Sequence, residues 1–292
     1  PGEFVRGAFP GAINLPLLDD EQRHLVGIRY KQAGQQAAIE LGHHLINGEV
    51  KRLRLDSWLA FLRSNPDALL YCFRGGLRSQ IVQQWLLEAG VEIPRIKGGY
   101  KRMRRFLLDS LQSAVHHHDL LVIAGKTGCG KTHLLAQLPA SIDLEGRANH
   151  RGSAFGRRIA GQPSQIDFEN LLAADFLKPS VKNSRIVFLE DESRAIGSLS
   201  LPQELATAMK SAPLAIIEEP ISSRVDIILQ DYILANCRDY RQQLSDAPFA
   251  AFADSLLSSL ERIRKRLGEP NYAQIVELMQ HALTAHENRN ET

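Results

Sequence analysis

"LLVIAGKTGCGKTHLLAQL", residues 120–138, decides how the larger part of this chain folds. An apolar run meets a glycine-rich turn, and helical spacing resumes behind it. Gly125-Lys126-Thr127-Gly128-Cys129-Gly130-Lys131-Thr132 matches G-x-x-x-x-G-K-[ST]. Glycines in such a loop let backbone N–H groups curl around phosphate oxygens. Lys131 is placed to reach terminal phosphate oxygens and Thr132 to ligate Mg²⁺, while Cys129 reads as a small residue the loop tolerates. A strand before and a helix after are the context the motif needs.

Downstream, Ile186 to Leu189 is a second apolar strand, ending in Glu190-Asp191-Glu192. An acid at such a strand end holds Mg²⁺ directly or through water, and any of the three suits that role. "APLAIIEEP", 212–220, reads as a third strand. Between them lies "DLEGRANHRGSAFG", 143–156, which mixes acids, His and Arg with glycine. Functional loops have this composition, so Asp143, Glu145, His150 and Arg151 are candidate substrate contacts. From about Asp231 onward the pattern is helical, with Leu256, Leu257, Leu260, Ile263 and Leu267 spaced for one face.

Upstream, "LLYCFRGGLRSQ", 69–80, raises the second chemical question. Ala68 to Cys72 reads as a short buried strand, Ser79 to Ala89 as a helix and Val91 to Ile96 as the next strand. That rhythm belongs to a parallel α/β sheet. Cys72 then sits at a strand's carboxyl end, where open α/β sheets place ligand crevices. Backbone N–H groups, a helix N-terminus, Arg74, Gly75, Gly76, Arg78 and Ser79 would surround its sulfur. That field favours a thiolate and can hold an oxyanion beside it. The competing reading is an inert buried thiol. Elsewhere, residues 1 to about 17 read as loop, 19–47 as mostly helical, Asp56–Arg63 as a helix capped near Asp56 or Ser57, and 101–118 as a basic helix. The His run that ends it does not share one helix face, which argues against a metal there.

Composition excludes little. The chain has 292 residues, 44% hydrophobic and 23% charged, with net charge +2. No apolar run approaches the ~18 residues of a membrane span. Three scattered cysteines make neither a disulfide framework nor a metal cluster, so a reducing, cytoplasmic setting is expected. No signal peptide is visible. The abrupt opening at Pro1-Gly2-Glu3-Phe4 leads us to expect residues before it. Basic residues cluster at 95–105, 147–158 and 262–266, which reads as polyanion binding or as solvated helix faces.

"PGEFVRGAFPGAINLPL" with "YCFRGGLRS" resembles a rhodanese-like domain. Its Cys72-to-Arg78 loop has seven members, as in dual-specificity phosphatases, and one more than sulfur-transferring rhodaneses commonly have. The strand and Asp-x-Arg segment that usually open such a domain are not in the sequence. Together with "KGGYKRMRRFLL", "GKTGCGKT", "DLEGRANHRGSAFG", "QPSQIDFEN" and "VFLEDESRAIG", the chain resembles the tRNA 2-selenouridine synthase family from residue 3 to about 197. The resemblance implies an α/β protein with a rhodanese-like parallel-sheet domain over 1–105 and a linker helix over 106–118. A P-loop NTPase-like α/β domain over 119–235 follows, then a helical C-terminal region over 236–292 packed on it.

The family replaces the sulfur of wobble 2-thiouridine in tRNA with selenium from selenophosphate. It also transfers a geranyl group from geranyl diphosphate to that sulfur, as an intermediate. On this resemblance Cys72 serves the selenium step, carrying selenium or attacking the base, with residues 73–79 around selenophosphate. The phosphate loop holds geranyl diphosphate, with ATP or GTP as rival ligands and Mg²⁺ as a companion. An apolar slot is expected for the geranyl chain, and the basic clusters grip tRNA. A selenophosphate-supplying enzyme is a candidate partner. No membrane is involved. Two other classes compete: a sulfurtransferase or phosphatase using Cys72 alone, and a nucleotide-switched RNA-binding protein.

Overall fold

Leu120 to Ala124 is apolar on both sides, and it becomes one of the two inner strands of a parallel sheet. The computed structural model describes residues 1–290, with side chains through 287. The chain divides into two compact units, Pro1–Ser110 and Leu111–Thr292.

The second unit carries the regular sheet. Helix α5 (Gly99–His117) leads in, followed by β1 (Asp119–Ala124), α6 (Lys131–Leu135), β2 (Ser141–Ile142), α7 (Leu144–Arg147), α8 (Gln165–Leu177), α9 (Pro179–Lys182) and β3 (Ile186–Glu190). After them come the short antiparallel pair β4 (Ala195–Ile196) and β5 (Leu199–Ser200), then α10 (Gln203–Ser211) and β6 (Leu214–Ile216). The main sheet has the order β2-β3-β1-β6, all parallel, with Leu121 beside Phe188 and Val122 beside Leu214. Val122, Ile142, Val187 and Leu189 are among its buried residues. The three expected strands are present. The helix behind the phosphate loop is shorter than its sequence spacing predicts, ending at Leu135. β2 and α8 were not read from the sequence. Ser164 caps α8 by accepting from Asp167 N.

The C-terminal helical run begins at α11 (Ile221–Ile228), earlier than Asp231. It continues through a π-helical turn, Leu229–Leu234, into α12 (Ala235–Gln243), α13 (Pro248–Arg262), α14 (Arg264–Leu267) and α15 (Glu269–Asn290). Leu256 and Leu260 are buried, and Cys237, Phe252 and Leu256 form a cluster that Phe155 joins from the 143–156 segment.

The first unit is mostly helical. It holds α1 (Gly2–Val5), a single turn where loop was expected, then α2 (Asp20–Leu45), α3 (Gly48–Ser64) and α4 (Leu77–Glu88). Asp19 and Gln22 form a capping box on α2, which breaks direction at Gly34 (φ 82°). α3 starts eight residues before the expected Asp56, behind Asn47. Its charged first turns hide the start, and Arg52 joins Glu49 and Asp56 at helical spacing. The core contains Leu17, Ile46, Trp58, Val82, Trp85, Leu86 and Ile93, with Trp58 stacked on Trp85 at 6.2 Å.

The two expected strands of this unit do run parallel, but they meet in a single bridge, Leu70 to Arg95. Leu70 N donates to Pro94 O and Ile96 N to Leu70 O, both at 2.9 Å. Pro94 has no N–H for the next rung, and the turn at Gly98-Gly99 ends the ladder on the other side. Leu69 is 56% exposed, so the segment is not the buried strand its composition predicts. No described helix is long and apolar enough to cross a membrane.

Candidate functional site

Residues 72–76 turn directly into α4, with Gly76 at its N-cap. Two glycine pairs make the turn compact. Gly99 (φ 59°) lies so close that a Cβ there would sit 2.1 Å from Cys72 O, and one on Gly75 (φ 65°) would meet Gly99 N at 2.6 Å. Tyr100 N and Lys101 N donate to the carbonyls of Cys72 and Phe73, each at 3.0 Å. Arg95, read from sequence as part of a basic cluster, instead braces the loop. Its Nη1 donates to Gly75 O at 2.6 Å and its Nε to Gln83 at 3.2 Å.

Cys72 Sγ donates to the buried Ser79 Oγ at 3.2 Å, and the Ser79 hydroxyl in turn donates to Gly76 O at 3.0 Å. Burial pushes the Cys72 thiol up. Once the thiol ionises, the Ser79 hydroxyl can turn from Gly76 O to donate to it. That bond, with the Ser79 backbone N–H, the Arg78 charge and the Arg74 N–H, outweighs burial, so the pKa falls below the usual thiol range. Arg78 is not free toward the cradle: it grips Glu3 with both amino nitrogens, at 2.5 and 3.3 Å. Arg74 is exposed and contributes backbone. Cys72, Arg78 and Ser79 border a cavity of about 620 Å³. Leu17, Trp58, Val82 and Leu86 continue its apolar wall into the core, and the exposed Ile13 and Leu69 line it as well.

Ser79→Ala is expected to slow iodoacetamide alkylation of Cys72 near neutral pH by roughly 10-fold, since a hydrogen bond to a charged group contributes about 1.5 kcal/mol or more. An unchanged rate would show that Ser79 does not stabilise the thiolate.

In the second unit the phosphate loop joins β1 to α6. Gly128 and Gly130 both have φ 82°, and a Cβ on Gly128 would meet Arg224 O at 2.6 Å. Lys131 Nζ donates to Gly125 O at 2.8 Å, and Arg224 Nε to Thr127 O at 3.0 Å. Cys129 is buried.

The three strand-end acids separate in space. Glu190 is fully buried and accepts from Leu144 N at 2.9 Å and Glu145 N at 3.2 Å. Burial and the neighbouring Asp143 carboxyl push it up to about 9, so it holds the start of α7 as a neutral acid. Asp191 is exposed, and its N–H donates to Ile123 O at 2.9 Å. Glu192 is the acid that feels Lys131. Burial and a hydrogen bond shared with Glu145 push it up to about 8, and Lys131 pulls it back. Among the described residues no cluster of three or more acids, His or Cys could hold a metal by itself. Mg²⁺ at Thr132 and Glu192 would therefore depend on phosphate oxygens from a ligand.

Glu190 sets a pH dependence of stability. Its native pKa lies above the unfolded value of 4.5, so the native state keeps a proton that the unfolded chain releases between 4.5 and about 9. Stability from this group therefore falls as pH rises through that window. Melting temperatures of the wild type should drop relative to Glu190→Gln across it. Parallel curves for the two proteins would contradict the assignment.

The 143–156 segment is partly structural. Asp143 caps α7 by accepting from Gly146 N at 2.6 Å. Arg147 pairs with the buried Asp175 at 2.6 and 3.0 Å. Glu145 accepts from Gly152 N. Arg151 pairs with Asp231 at 2.9 Å and stacks over Tyr232 at 5.0 Å, both residues lying in the π-helical turn. Nothing in the local sequence announces that partnership, because the partners are far apart along the chain. His150 is buried. His117 bonds within α5, and His118 Nδ1 lies 2.9 Å from Ser184 O.

A family model described as "tRNA 2-selenouridine synthase AAA domain" matches residues 118–292. Curated tRNA 2-selenouridine synthases align along nearly the whole chain. The protein from Pseudomonas fluorescens is 52% identical over 97% of this chain and 78% of its own length. That from Pseudomonas syringae pv. tomato is 53% identical over 97% and 78%. The one from Cupriavidus pinatubonensis is 50% identical over 100% and 80%.

Proposed function

Because the chain belongs to the tRNA 2-selenouridine synthase family, and so is an enzyme acting on tRNA, we propose that it exchanges sulfur for selenium in wobble 2-thiouridine through an S-geranyl intermediate. In the first half-reaction the 2-thiouridine sulfur attacks the first carbon of geranyl diphosphate. The C–O bond breaks, diphosphate leaves, and the base gives up its N3 proton to water. The glycine loop 125–130 and Lys131 would receive that diphosphate charge, with Thr132 and Glu192 toward Mg²⁺. A leaving diphosphate is where positive charge and backbone N–H groups give the most rate. ATP and GTP share those phosphates but transfer no geranyl group.

Electron balance separates the two readings of Cys72. Selenophosphate carries selenium at the selenide level. Placing that selenium on a thiol as a perselenide requires an oxidant that neither donor supplies. Attack on the base is redox-neutral. The Cys72 thiolate adds to C2 of the S-geranylated base and geranylthiol leaves with a proton. Selenium of selenophosphate then displaces Cys72, and water cleaves the Se–P bond to phosphate.

The observation that carries this reading is the Cys72 sulfur held 3.2 Å from Ser79 Oγ, at the start of α4, with its pKa lowered. The Glu3–Arg78 pair supports it too. An arriving selenophosphate would compete with Glu3 for the Arg78 fork. The test is Cys72→Ala assayed with selenophosphate on RNA that already carries S-geranyl-2-thiouridine. Selenium transfer should be lost. Full transfer would exclude this role.

A further inference from the structure

Two of the three basic clusters, far apart in sequence, converge in one place. Arg157 and Arg158 from the segment after α7, and Arg262 and Arg266 from α13 and α14, line a single groove of about 750 Å³. His150 belongs to its wall, and so does Thr127 of the phosphate loop. Arg262 Nη2 fastens the two sides, donating to Ala154 O at 3.0 Å and to Ser259 Oγ at 2.7 Å.

The groove arginines are not ion-paired. Arg147, Arg151 and Arg264 each have a carboxylate partner. Among the described residues, none of the four groove arginines does, and no Asp or Glu lines the groove. Burial and the charge of Arg157 hold the Arg262 guanidinium below its usual range. Arg158 Nε and His150 Nδ1 are buried with no hydrogen-bond partner, and His150 is 7% exposed. Four like charges held together without ion-pair partners repel one another, and a polyanion relieves that cost. The lining is polar apart from a few small or aliphatic residues such as Ala154, Ala195 and Ile196, which does not suit a ten-carbon chain. Guanidinium forks do suit successive phosphates.

We propose that this groove is the RNA track of the enzyme, holding consecutive backbone phosphates of the tRNA beside the nucleotide being modified. The inference rests on the reading of the chain as a tRNA-modifying enzyme, and adds to it the surface that binds the backbone. Because Thr127 shares the wall, RNA lying in the groove passes next to the loop assigned to the diphosphate.

The test uses the full chain carrying Arg157→Ala with Arg266→Ala. Both positions are exposed, so folding should hold, and the melting temperature checks it. Binding of a labelled tRNA transcript is titrated between about 50 and 200 mM salt. The expected result is a log–log salt slope shallower by about 2, with affinity weaker by roughly 10-fold or more. The Arg→Lys pair should restore most of the slope, and geranyl diphosphate should bind all three proteins alike. An unchanged slope with normal wild-type binding overturns the groove assignment alone. Loss of geranyl diphosphate binding with an intact tRNA slope also overturns it, by making the groove a donor site. A wild-type protein that binds no tRNA overturns the functional reading with it.

Discussion

Lys131→Ala is expected to slow geranyl transfer to thiolated tRNA by roughly 10²–10³-fold, the usual cost of removing one group that stabilises charge developing in a transition state. The ammonium now rests on Gly125 O at 2.8 Å, a neutral acceptor at the start of its own loop. A diphosphate offers a stronger acceptor within the same turn, so the lysine can exchange one partner for the other without rebuilding the loop. Selenium transfer to RNA that already carries the S-geranyl group should proceed close to the wild-type rate, because no geranyl diphosphate is consumed. Nucleoside analysis of the RNA after each half-reaction checks both statements. Normal geranylation would mean that the phosphate loop serves another ligand, and ATP would then be the first to test.

Cys72→Ala should show the opposite split. S-geranyl-2-thiouridine forms and accumulates, while 2-selenouridine falls by roughly 10³-fold or more, the order seen when a covalent nucleophile is removed. The cradle's remaining groups do not replace a nucleophile. Ser79 Oγ donates to Gly76 O and lies next to the sulfur, with no base beside it in the described contacts. Arg78 is occupied by Glu3. Loss of both half-reactions together would point to a shared structural role for Cys72 instead.

The parts of this molecule that were legible in the sequence are those where backbone geometry dictates residue type. Gly128 and Gly130 stand at φ 82°, and Gly75 and Gly99 pack backbone against backbone, so the two loops announced themselves. The parallel sheet of the second unit was legible for a similar reason, since β1 and β3 are apolar runs. What the sequence hid depends on partners far away along the chain. Glu190, Asp191 and Glu192 looked equivalent. Only the fold drives Glu190 under α7 and leaves Glu192 near Lys131. Arg95 looked like surface charge but holds Gly75 O. Arg151 read as a candidate substrate contact, and its pairing with Asp231 could not be read from the sequence. Arg157 and Arg262 gave no sign that they share a wall. The Leu70 segment failed as a strand through two local features, the missing N–H of Pro94 and the turn at Gly98-Gly99.

The proposed chemistry has one intermediate that no other reading requires: a thioether between Cys72 and C2 of the base. The most direct measurement is intact-mass analysis of the protein after incubation with an S-geranyl-2-thiouridine oligonucleotide and no selenium donor. The account predicts release of geranylthiol and a protein–RNA adduct that maps to Cys72, is absent in Cys72→Ala and resolves to 2-selenouridine when selenophosphate is added. Selenation at the normal rate with neither adduct nor geranylthiol release before the donor arrives would contradict it.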